Sequence, residues 1–515
     1  ALESARSGMV LLKNEGGILP LNRDETLQLA VIGPNGHPAV TGGGGSSHVD
    51  PLHPLSLVEA INNVSDTLTE VVYEKGIFTG VPFPENIFED FDFLIPNESG
   101  NAQVGVEAEF FDNKNLEGPS LLKKSFGELD FENEDFWDVP EIPEVNFSAR
   151  FSCHFLPEES GYYSLGVSGD DGYRLFVDGE KVIDMWRDQG ETPAKHEMFL
   201  NGGQKYQVTL EYYQSGGEAQ LKLGAQKINM EIEPEQYFPR AISAARDADF
   251  VIMAVGFDPT TESEAFDRSF ELPHNQAELI NKVSEVNENV IVVINSGGNV
   301  AMESWIQNAK AVLMAWYPGQ EGNLAAAEIL YGIINPSGRL PVSFEQDLKD
   351  NPSFEHYYDH DNDSSVFYGE GIFMGYRHWD KSPGKPRFPF GYGLSYTDFD
   401  YRDLSTNKQV YAINDTIEVS LKVENTGDFK GAEVVQLYVS DQKCSLPRPV
   451  KELKAFEKVH LIKGEERVIK MNLNSEAFAF YDPEVHDWKV EPGEFEILVG
   501  HSSEDIRLRK SIVLK

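Results

Sequence analysis

A β-rich stretch over residues 104–233 interrupts an otherwise regular alternation of strands and helices, and it constrains the fold more than any other feature. Before it, strands are predicted over residues 27–32 and 70–74, with a helix over 55–62 between them. After it, the pattern predicts strands over 250–255, 290–294 and 311–315 and helices over 241–248, 276–286 and 321–330. A doubly wound α/β domain that carries an all-β insertion explains this order.

Two further regions are rich in predicted strands. In the insertion, short runs such as 162–167 and 173–177 alternate apolar and polar residues between Gly and Asp turns. Near the C-terminus, spaced strands and an Asn-Thr-Gly turn at 425–427 are typical of a β-sandwich. An amphipathic helix is predicted over residues 1–13. The predicted fold class is thus multidomain α/β plus all-β, with these parts: an α/β sandwich domain (1–76 and 237–349), a linker (77–103), an inserted β-sandwich domain (104–236), a transition segment (350–399) and a fibronectin type III-like β-sandwich (400–515).

Charge and cysteine content exclude several functions. The net charge of −42 disfavours nucleic acids, anionic membranes and anionic substrates, whereas a neutral sugar is compatible with it. The apolar runs are too short to cross a membrane, and residue 1 is not followed by the basic and apolar regions of a signal peptide. Cys153 and Cys444 lie in different predicted domains and show no metal-ligand spacing. We therefore expect neither a disulfide framework nor a bound metal or cofactor.

An acidic loop follows the predicted strand 250–255. It carries Asp258, Glu262, Glu264, Asp267 and Arg268. Ligands of open α/β sheets bind beyond the carboxyl ends of the strands, which is where this loop lies. A glycosidase needs one carboxyl group that is protonated near neutral pH and another that is ionised. On composition alone, an acidic loop that is simply solvated is the favoured interpretation.

The loop also resembles a known motif. Residues 263–268, Ser-Glu-Ala-Phe-Asp-Arg, resemble the Ser-Glu-Gly-Phe/Tyr-Asp-Arg segment of family 3 glycoside hydrolases, with Ala265 where that family usually has glycine. The resemblance implies that Glu264 is the general acid/base, with Glu262 as the competing candidate. Phe266, Asp267 and Arg268 are expected to contact the substrate.

Other motifs occur in the order of the same family. Residues 7–15, 315–322 and 335–341 resemble its α/β sandwich domain, and residues 388–396 resemble the passage into its fibronectin type III-like domain. The Gly-rich stretch 42–45 lacks the Lys of a phosphate loop. By resemblance it lies beside the sugar pocket, and a plain flexible loop is the alternative.

The insertion has a likeness of its own. Residues 169–179, Gly-Asp-Asp-Gly-Tyr-Arg-Leu-Phe-Val-Asp-Gly, resemble the anthrax protective antigen-like β domain that some family 3 enzymes insert here, where it shapes the pocket entrance. Asp171 and Trp186 are the candidate sugar contacts on this domain. The alternatives are that Asp170 and Asp171 bind calcium, or that they only form a turn.

The resemblance also implies a missing part. Family 3 enzymes normally begin with a (β/α)8 barrel that holds the aspartate nucleophile, and nothing in these residues resembles it, so we expect the catalytic barrel to be absent from this chain. The implied function is part of a retaining β-glucosidase that removes terminal non-reducing β-D-glucosyl residues from a β-linked glucoside or oligosaccharide. Its expected partner is a barrel domain or chain, without which it is inactive and forms homo-oligomers. The alternative is a non-catalytic carbohydrate-binding or scaffolding protein.

Overall fold

Two compact units make up the protein. One contains Ala1–Phe78 with Pro234–Lys515, and the other contains Thr79–Glu233. Most of the stretch 77–103, predicted as a linker, therefore falls in the second unit, while the finer domain boundaries stay predictions. The computed structural model describes residues 1–23, 25–65, 69–80, 83–84, 86–88, 92–95, 103–132, 142–217, 219–230, 232–264, 267–358 and 365–515.

The elements are numbered in chain order. The segment before the insertion forms α1 (Leu2–Gly8), β1 (Val10–Asn14), β2 (Leu27–Ile32), α2 (Leu57–Val64) and β3 (Thr69–Glu74). The second unit contains β4 (Phe93–Leu94), β5 (Val106–Phe111), β6 (Leu122–Phe126), β7 (Asp130–Glu132), β8 (Phe147–Phe155), β9 (Gly161–Gly169), β10 (Gly172–Val177), β11 (Glu180–Met185), β12 (Thr192–Leu200), β13 (Tyr206–Gln214) and β14 (Gln220–Lys227).

The chain then returns to the first unit. Its α/β part continues with α3 (Pro234–Asp247), β15 (Phe250–Gly256), α4 (Gln276–Ser284), β16 (Val290–Asn295), β17 (Ala311–Met314), α5 (Gly322–Leu330) and α6 (Tyr376–Trp379). The C-terminal part forms β18 (Phe399–Thr406), β19 (Val410–Tyr411), β20 (Ile417–Asn425), β21 (Gly431–Asp441), β22 (Glu452–Leu461), β23 (Glu466–Leu473), β24 (Phe480–Asp482), β25 (Asp487–Lys489), β26 (Gly493–Gly500) and β27 (Ile506–Leu514).

The α/β part is built on one sheet of order β1-β17-β16-β15-β2-β3. Its strands pair in parallel except β1, which is antiparallel to β17. Successive apolar residues of β2, β15, β16 and β17 enter two separate cores, one on each face of the sheet. Helices α3 and α4 cover one face, and α2 and α5 cover the other. The prediction that residues before and after the insertion share a sheet is confirmed.

The helix predicted over residues 1–13 is wrong beyond α1. Met9, Val10, Leu11 and Leu12 are all fully buried, with Val10 and Leu12 in one core and Met9 and Leu11 in the other. That alternation has the period of two that a strand requires, and a helix would bury one face only. Four consecutive apolar residues were the signal for a strand covered on both sides.

The order in which strands are added to the sheet reverses between β2 and β15. From β2 the chain adds β3 on one side, and from β15 it adds β16 and β17 on the other, so the β2/β15 boundary is the topological switch point where ligands bind in such folds. Glycine allows the close contacts there: a Cβ on Gly33 (φ 126°) would lie 2.1 Å from the Ala254 carbonyl oxygen, and one on Gly256 (φ 137°) would lie 1.9 Å from that of Asn295.

The second unit is all β. One sheet has the order β11-β10-β13-β8-β5-β6, with β4 paired to β8, and the other has the order β12-β9-β14-β7. Both sheets contribute to one hydrophobic core rich in aromatic residues. The strands predicted in the insertion are therefore present as a two-sheet β structure.

The C-terminal part of the first unit is a second two-sheet β structure, with the orders β18-β20-β23 and β19-β27-β26-β21-β22. A buried ionic cluster joins it to the α/β part. Glu433 on β21 is fully buried and accepts hydrogen bonds from Arg339 Nη2 (2.8 Å) and Tyr401 Oη (2.6 Å), and it contacts His501 Nδ1 (2.7 Å). Burial alone would raise the pKa of Glu433, but the His501 hydrogen bond and the Arg339 charge outweigh it and lower this pKa.

We expect Arg339→Met to destabilise the first unit by about 3–5 kcal/mol, because it leaves the Glu433 charge buried without its guanidinium. The exposed pair Lys463–Asp428 provides the control, and Asp428→Asn should cost less than about 1 kcal/mol. Urea unfolding at neutral pH measures both. Since the folded pKa of Glu433 lies below its unfolded value, this stabilisation should be present at neutral pH and disappear as the pH falls through the folded pKa. Equal midpoints for Arg339→Met and the parent chain would contradict the cluster's role.

Candidate active site

Side-chain amides fix the loops at the carboxyl edge of the sheet. Asn35 Nδ2, after β2, donates to the Phe257 carbonyl oxygen (3.1 Å), and Asn295 Nδ2, at the end of β16, donates to that of Trp316 (3.1 Å). The buried Gln276 amide bonds both backbone groups of Gly256, accepting at 2.7 Å and donating at 2.8 Å. The loop that begins at Gly256 therefore leaves the sheet from a fixed point.

The first carboxylate of the acidic loop builds the loop itself. Asp258 Oδ1 accepts hydrogen bonds from the backbone N–H groups of Thr260 (2.9 Å) and Thr261 (3.1 Å) and from both threonine hydroxyls. This is an Asx-type turn, in which a side-chain carboxylate satisfies the backbone donors of the next residues. Asp258 therefore stabilises the conformation of the loop.

Glu262 is anchored by three groups. Its Oε2 accepts hydrogen bonds from Tyr317 Oη (2.8 Å) and the Gly297 N–H (3.2 Å), and it lies 3.3 Å from Arg268 Nε. Burial, together with the hydrogen bond to this carboxylate, raises the pKa of Tyr317. Glu262 is thus half-buried, and its Oε2 is in contact with a guanidinium and two further hydrogen-bond donors.

Glu264, two residues later, is exposed and has a different environment. Its Oε2 accepts a hydrogen bond from the Ser46 N–H (2.6 Å), and its Oε1 accepts one from Ser46 Oγ (2.7 Å). The Ser46 hydroxyl and then the Ser46 N–H lower the pKa of Glu264, because both donate to its charged form. The Gly-rich loop after β2 therefore contacts the predicted acid/base directly.

The other residues of this loop that were predicted to contact substrate are Phe266, Asp267 and Arg268. Arg268 Nη2 donates to the Asn299 carbonyl oxygen (2.7 Å), and its guanidinium lies 4.7 Å from the centre of the Phe257 ring. Asp267 is exposed and accepts hydrogen bonds from Tyr357 Oη (2.8 Å) and Tyr358 Oη (3.3 Å). Phe266 lies outside the described residues. A cavity of about 360 Å³ is lined by Asp267, Arg268, Phe270, Phe354, Tyr357 and Tyr358, among others.

Several functional candidates were not assigned a role from sequence. Ser46 directly follows the Gly-rich stretch 42–45, and Tyr317 lies in the motif 315–322, but nothing local indicates that they reach the carboxylates of the acidic loop. Tyr357 and Tyr358 lie in a segment without regular periodicity. Their contacts to Asp267 arise from the tertiary fold.

Asp171 and Trp186 belong to the second unit and are described within it. Asp171 adopts a left-handed conformation (φ 61°), is 5% exposed, and accepts hydrogen bonds at Oδ2 from the N–H groups of Ser215 (2.6 Å) and Gly216 (3.1 Å). This geometry is that of a turn-forming residue. The Trp186 ring lies 3.9 Å from the Arg174 guanidinium. Their sugar-binding roles stay predictions.

The described ranges contain neither a cluster of metal ligands nor a membrane-spanning helix. No group of three or more His, Cys, Asp or Glu side chains within them is arranged to hold a metal ion. In the same part of the chain, no helix has the length and apolar character needed to cross a lipid bilayer.

We expect Asp171→Ala to destabilise the second unit by about 1–3 kcal/mol or more, because two backbone N–H groups lose their acceptor and alanine disfavours a positive φ. Asp171→Asn keeps an acceptor oxygen and tolerates this conformation, so it should lose much less. Chemical unfolding with and without calcium measures both. If the two variants were equally destabilised, and only when calcium is present, the turn-forming interpretation would be replaced by a calcium site.

Comparison with known proteins relates most of the chain to described sequences. The model of the glycosyl hydrolase family 3 C-terminal domain matches residues 9–396, and that of a fibronectin type III-like domain matches residues 433–503. A probable beta-glucosidase K of Emericella nidulans is 34% identical, with 99% of this chain and 62% of that protein covered. A probable beta-glucosidase I of Aspergillus niger is 32% identical, with coverages of 98% and 63%. The chain thus spans about three fifths of the length of these relatives.

Solved structures resemble the chain over its whole length. The beta-glucosidase from Kluyveromyces marxianus in complex with glucose is 31% identical, with a TM-score of 0.70 and coverage of 100% of this chain and 61% of that one. DesR, a beta-glucosidase from Streptomyces venezuelae in complex with D-glucose, is 27% identical, with a TM-score of 0.68 and coverages of 100% and 59%.

Proposed function

Because the chain belongs to glycoside hydrolase family 3, we propose that it is the part of a retaining β-glucosidase that supplies the general acid/base, Glu264. Relatives and similar structures named β-glucosidases support this activity, and two of those structures contain glucose. The observation that carries the proposal is the exposed Glu264 carboxylate at the switch point of the sheet, held by the neutral groups of Ser46.

The contrast between the two glutamates supports the choice of Glu264. A proton-transferring carboxyl group must be able to exist in both protonation states. Glu262 is half-buried, and its Oε2 is already occupied by the Arg268 guanidinium and by two further donors from the same chain. Glu264 faces Ser46, whose hydroxyl can donate to a carboxylate or accept from a carboxylic acid. Glu262 is therefore assigned to holding Arg268 and the loop.

The proposed reaction has two steps. Protonated Glu264 donates its proton to the leaving oxygen while an aspartate nucleophile forms a glycosyl-enzyme, and the resulting carboxylate then deprotonates the attacking water. The nucleophile belongs to a (β/α)8 barrel domain or chain and must lie about 5 Å from Glu264. Burial beneath that barrel and the nucleophile's charge would raise the pKa of Glu264 before the first step. Glycosylation removes the nucleophile's charge, so this pKa would fall again when a base is needed.

The rest of the chain serves this site in the proposal. The substrate is a β-linked glucoside or oligosaccharide with a terminal non-reducing glucosyl residue. Asp267 and Arg268 line a cavity beside the acid/base loop, and Phe266 lies in the same loop. The second unit is proposed to be a protective antigen-like β domain that shapes the pocket entrance, with Asp171 and Trp186 as its sugar contacts.

In a protein that combines this chain with a barrel, Glu264→Gln should reduce turnover of substrates with poor leaving groups by about 10²–10⁴-fold, because no proton is supplied. Substrates with good leaving groups should still form the glycosyl-enzyme, whose hydrolysis then stalls. Azide needs no deprotonation and should rescue this second step. Steady-state rates across a series of aryl β-glucosides, with and without azide, measure both effects.

Glu262→Gln is the matched control. It removes a carboxylate two residues away and should show neither leaving-group dependence nor azide rescue. If Glu262→Gln gave this signature and Glu264→Gln did not, the acid/base would be Glu262.

The chain alone should show no turnover of an aryl β-glucoside, and addition of a matching family 3 barrel as a separate chain should restore it, because two catalytic carboxyl groups are required. Size-exclusion chromatography of the chain alone should show self-association that the barrel suppresses, since the barrel covers the shared surface. Full activity of this chain by itself would refute the proposal that the nucleophile comes from the barrel and the acid/base from this chain. Sugar affinity without turnover, even with the barrel, would instead support a carbohydrate-binding protein.

A further inference from the structure

Ser46 holds both oxygens of the Glu264 carboxylate from a distant part of the chain. Its backbone N–H and its hydroxyl bind different carboxylate oxygens, at 2.6 and 2.7 Å. The two residues are 218 positions apart and are brought together by the parallel pairing of β2 with β15. The contact therefore depends on the sheet and on the loop that carries Ser46.

That loop is held closely against the acidic loop. The Gly44 N–H donates to the Glu262 carbonyl oxygen (2.8 Å). A Cβ on Gly44 would lie 2.7 Å from the Pro259 carbonyl oxygen, and one on Gly45 would lie 2.8 Å from Glu264 Cγ. These separations are too short for any side chain, so the glycines permit an approach that places Ser46 against the carboxylate. This packing accounts for Gly44 and Gly45 within the Gly-rich stretch.

The hydroxyl of serine suits a carboxyl group that changes its protonation state. When Glu264 is ionised, the Ser46 N–H and Oγ–H both donate to it. When Glu264 is protonated, its O–H can donate to Ser46 Oγ while the N–H still donates to the other oxygen. A backbone N–H or a cation in place of the hydroxyl could not accept a hydrogen bond from the protonated form.

We propose that Ser46 is a positioning residue for Glu264, which keeps the carboxyl group in one place through both steps by switching its hydroxyl from donor to acceptor. The positioning is a property of this chain, and its catalytic consequence rests on the proposed function. The lowered pKa of Glu264 is consistent with two donors on the ionised form.

The positioning of Glu264 by Ser46 is tested on the 515-residue chain, with a readout that does not depend on catalytic activity. The chain is labelled with ¹³C at the glutamate carboxyl carbons, and Glu264→Gln identifies the Glu264 resonance. Ser46→Ala should raise the pKa of this carboxyl, because the ionised form loses a donor, and Ser46→Thr should restore it. Ser47→Ala is the control, since Ser47 Oγ bonds the Gly44 carbonyl oxygen (3.3 Å). An unchanged titration in Ser46→Ala, or an equal shift in Ser47→Ala, would overturn the proposal.

The catalytic consequence is tested in a protein that also contains the barrel. Ser46→Ala should move the limbs of the pH–rate profile that report Glu264 to higher pH, and lower turnover roughly two- to tenfold, the effect of one lost hydrogen bond. Ser46→Thr should restore both. A shifted carboxyl titration without any change in the pH–rate profile would refute the catalytic role of Glu264 while the positioning by Ser46 stands.

Discussion

The parallel pairing of β2 with β15 is the contact on which the candidate site depends. These strands come from opposite sides of the insertion, and their carboxyl ends meet at the switch point of the sheet. The close approach of Gly33 to Ala254 and of Gly256 to Asn295 sets where each following loop begins. The Gly-rich loop after β2 and the acidic loop after β15 therefore face one another. Glu264 of the acidic loop contacts Ser46 of the other loop.

Two glutamates in one loop acquire different properties from their neighbours. Glu262 contacts a guanidinium, a phenol and a backbone N–H, so its carboxyl group holds neighbouring segments together. Glu264 meets a hydroxyl and an N–H and remains exposed, so its protonation can respond to whatever covers the site. Glycosidases divide acid and base roles through the environments of their two catalytic carboxyl groups, which in this proposal are Glu264 and the barrel nucleophile. In this proposal, the barrel supplies the remaining environment.

The sequence indicated those features that depend on local patterns. Period-two and period-3.6 patterns predicted the shared sheet and both β structures, and the motif around Glu264 predicted the loop that carries it. The strand β1 was missed because its short apolar run follows a helix directly. The contacts of Ser46 with Glu264 and of Tyr317 with Glu262 had no local signal, since they join residues distant in sequence. Whether Asp171 and Trp186 contact sugar is still a prediction.

The most direct test of the account is a crystal structure of this chain together with its barrel and a bound inhibitor that mimics a glucosyl residue. The measured quantity is the separation between the Glu264 carboxyl group and the carboxyl group of the barrel aspartate beneath the sugar. The account predicts about 5 Å, the spacing of a retaining enzyme, with Glu264 on the leaving-group side. A separation well above that range, or Glu262 in place of Glu264 beside the sugar, would contradict it.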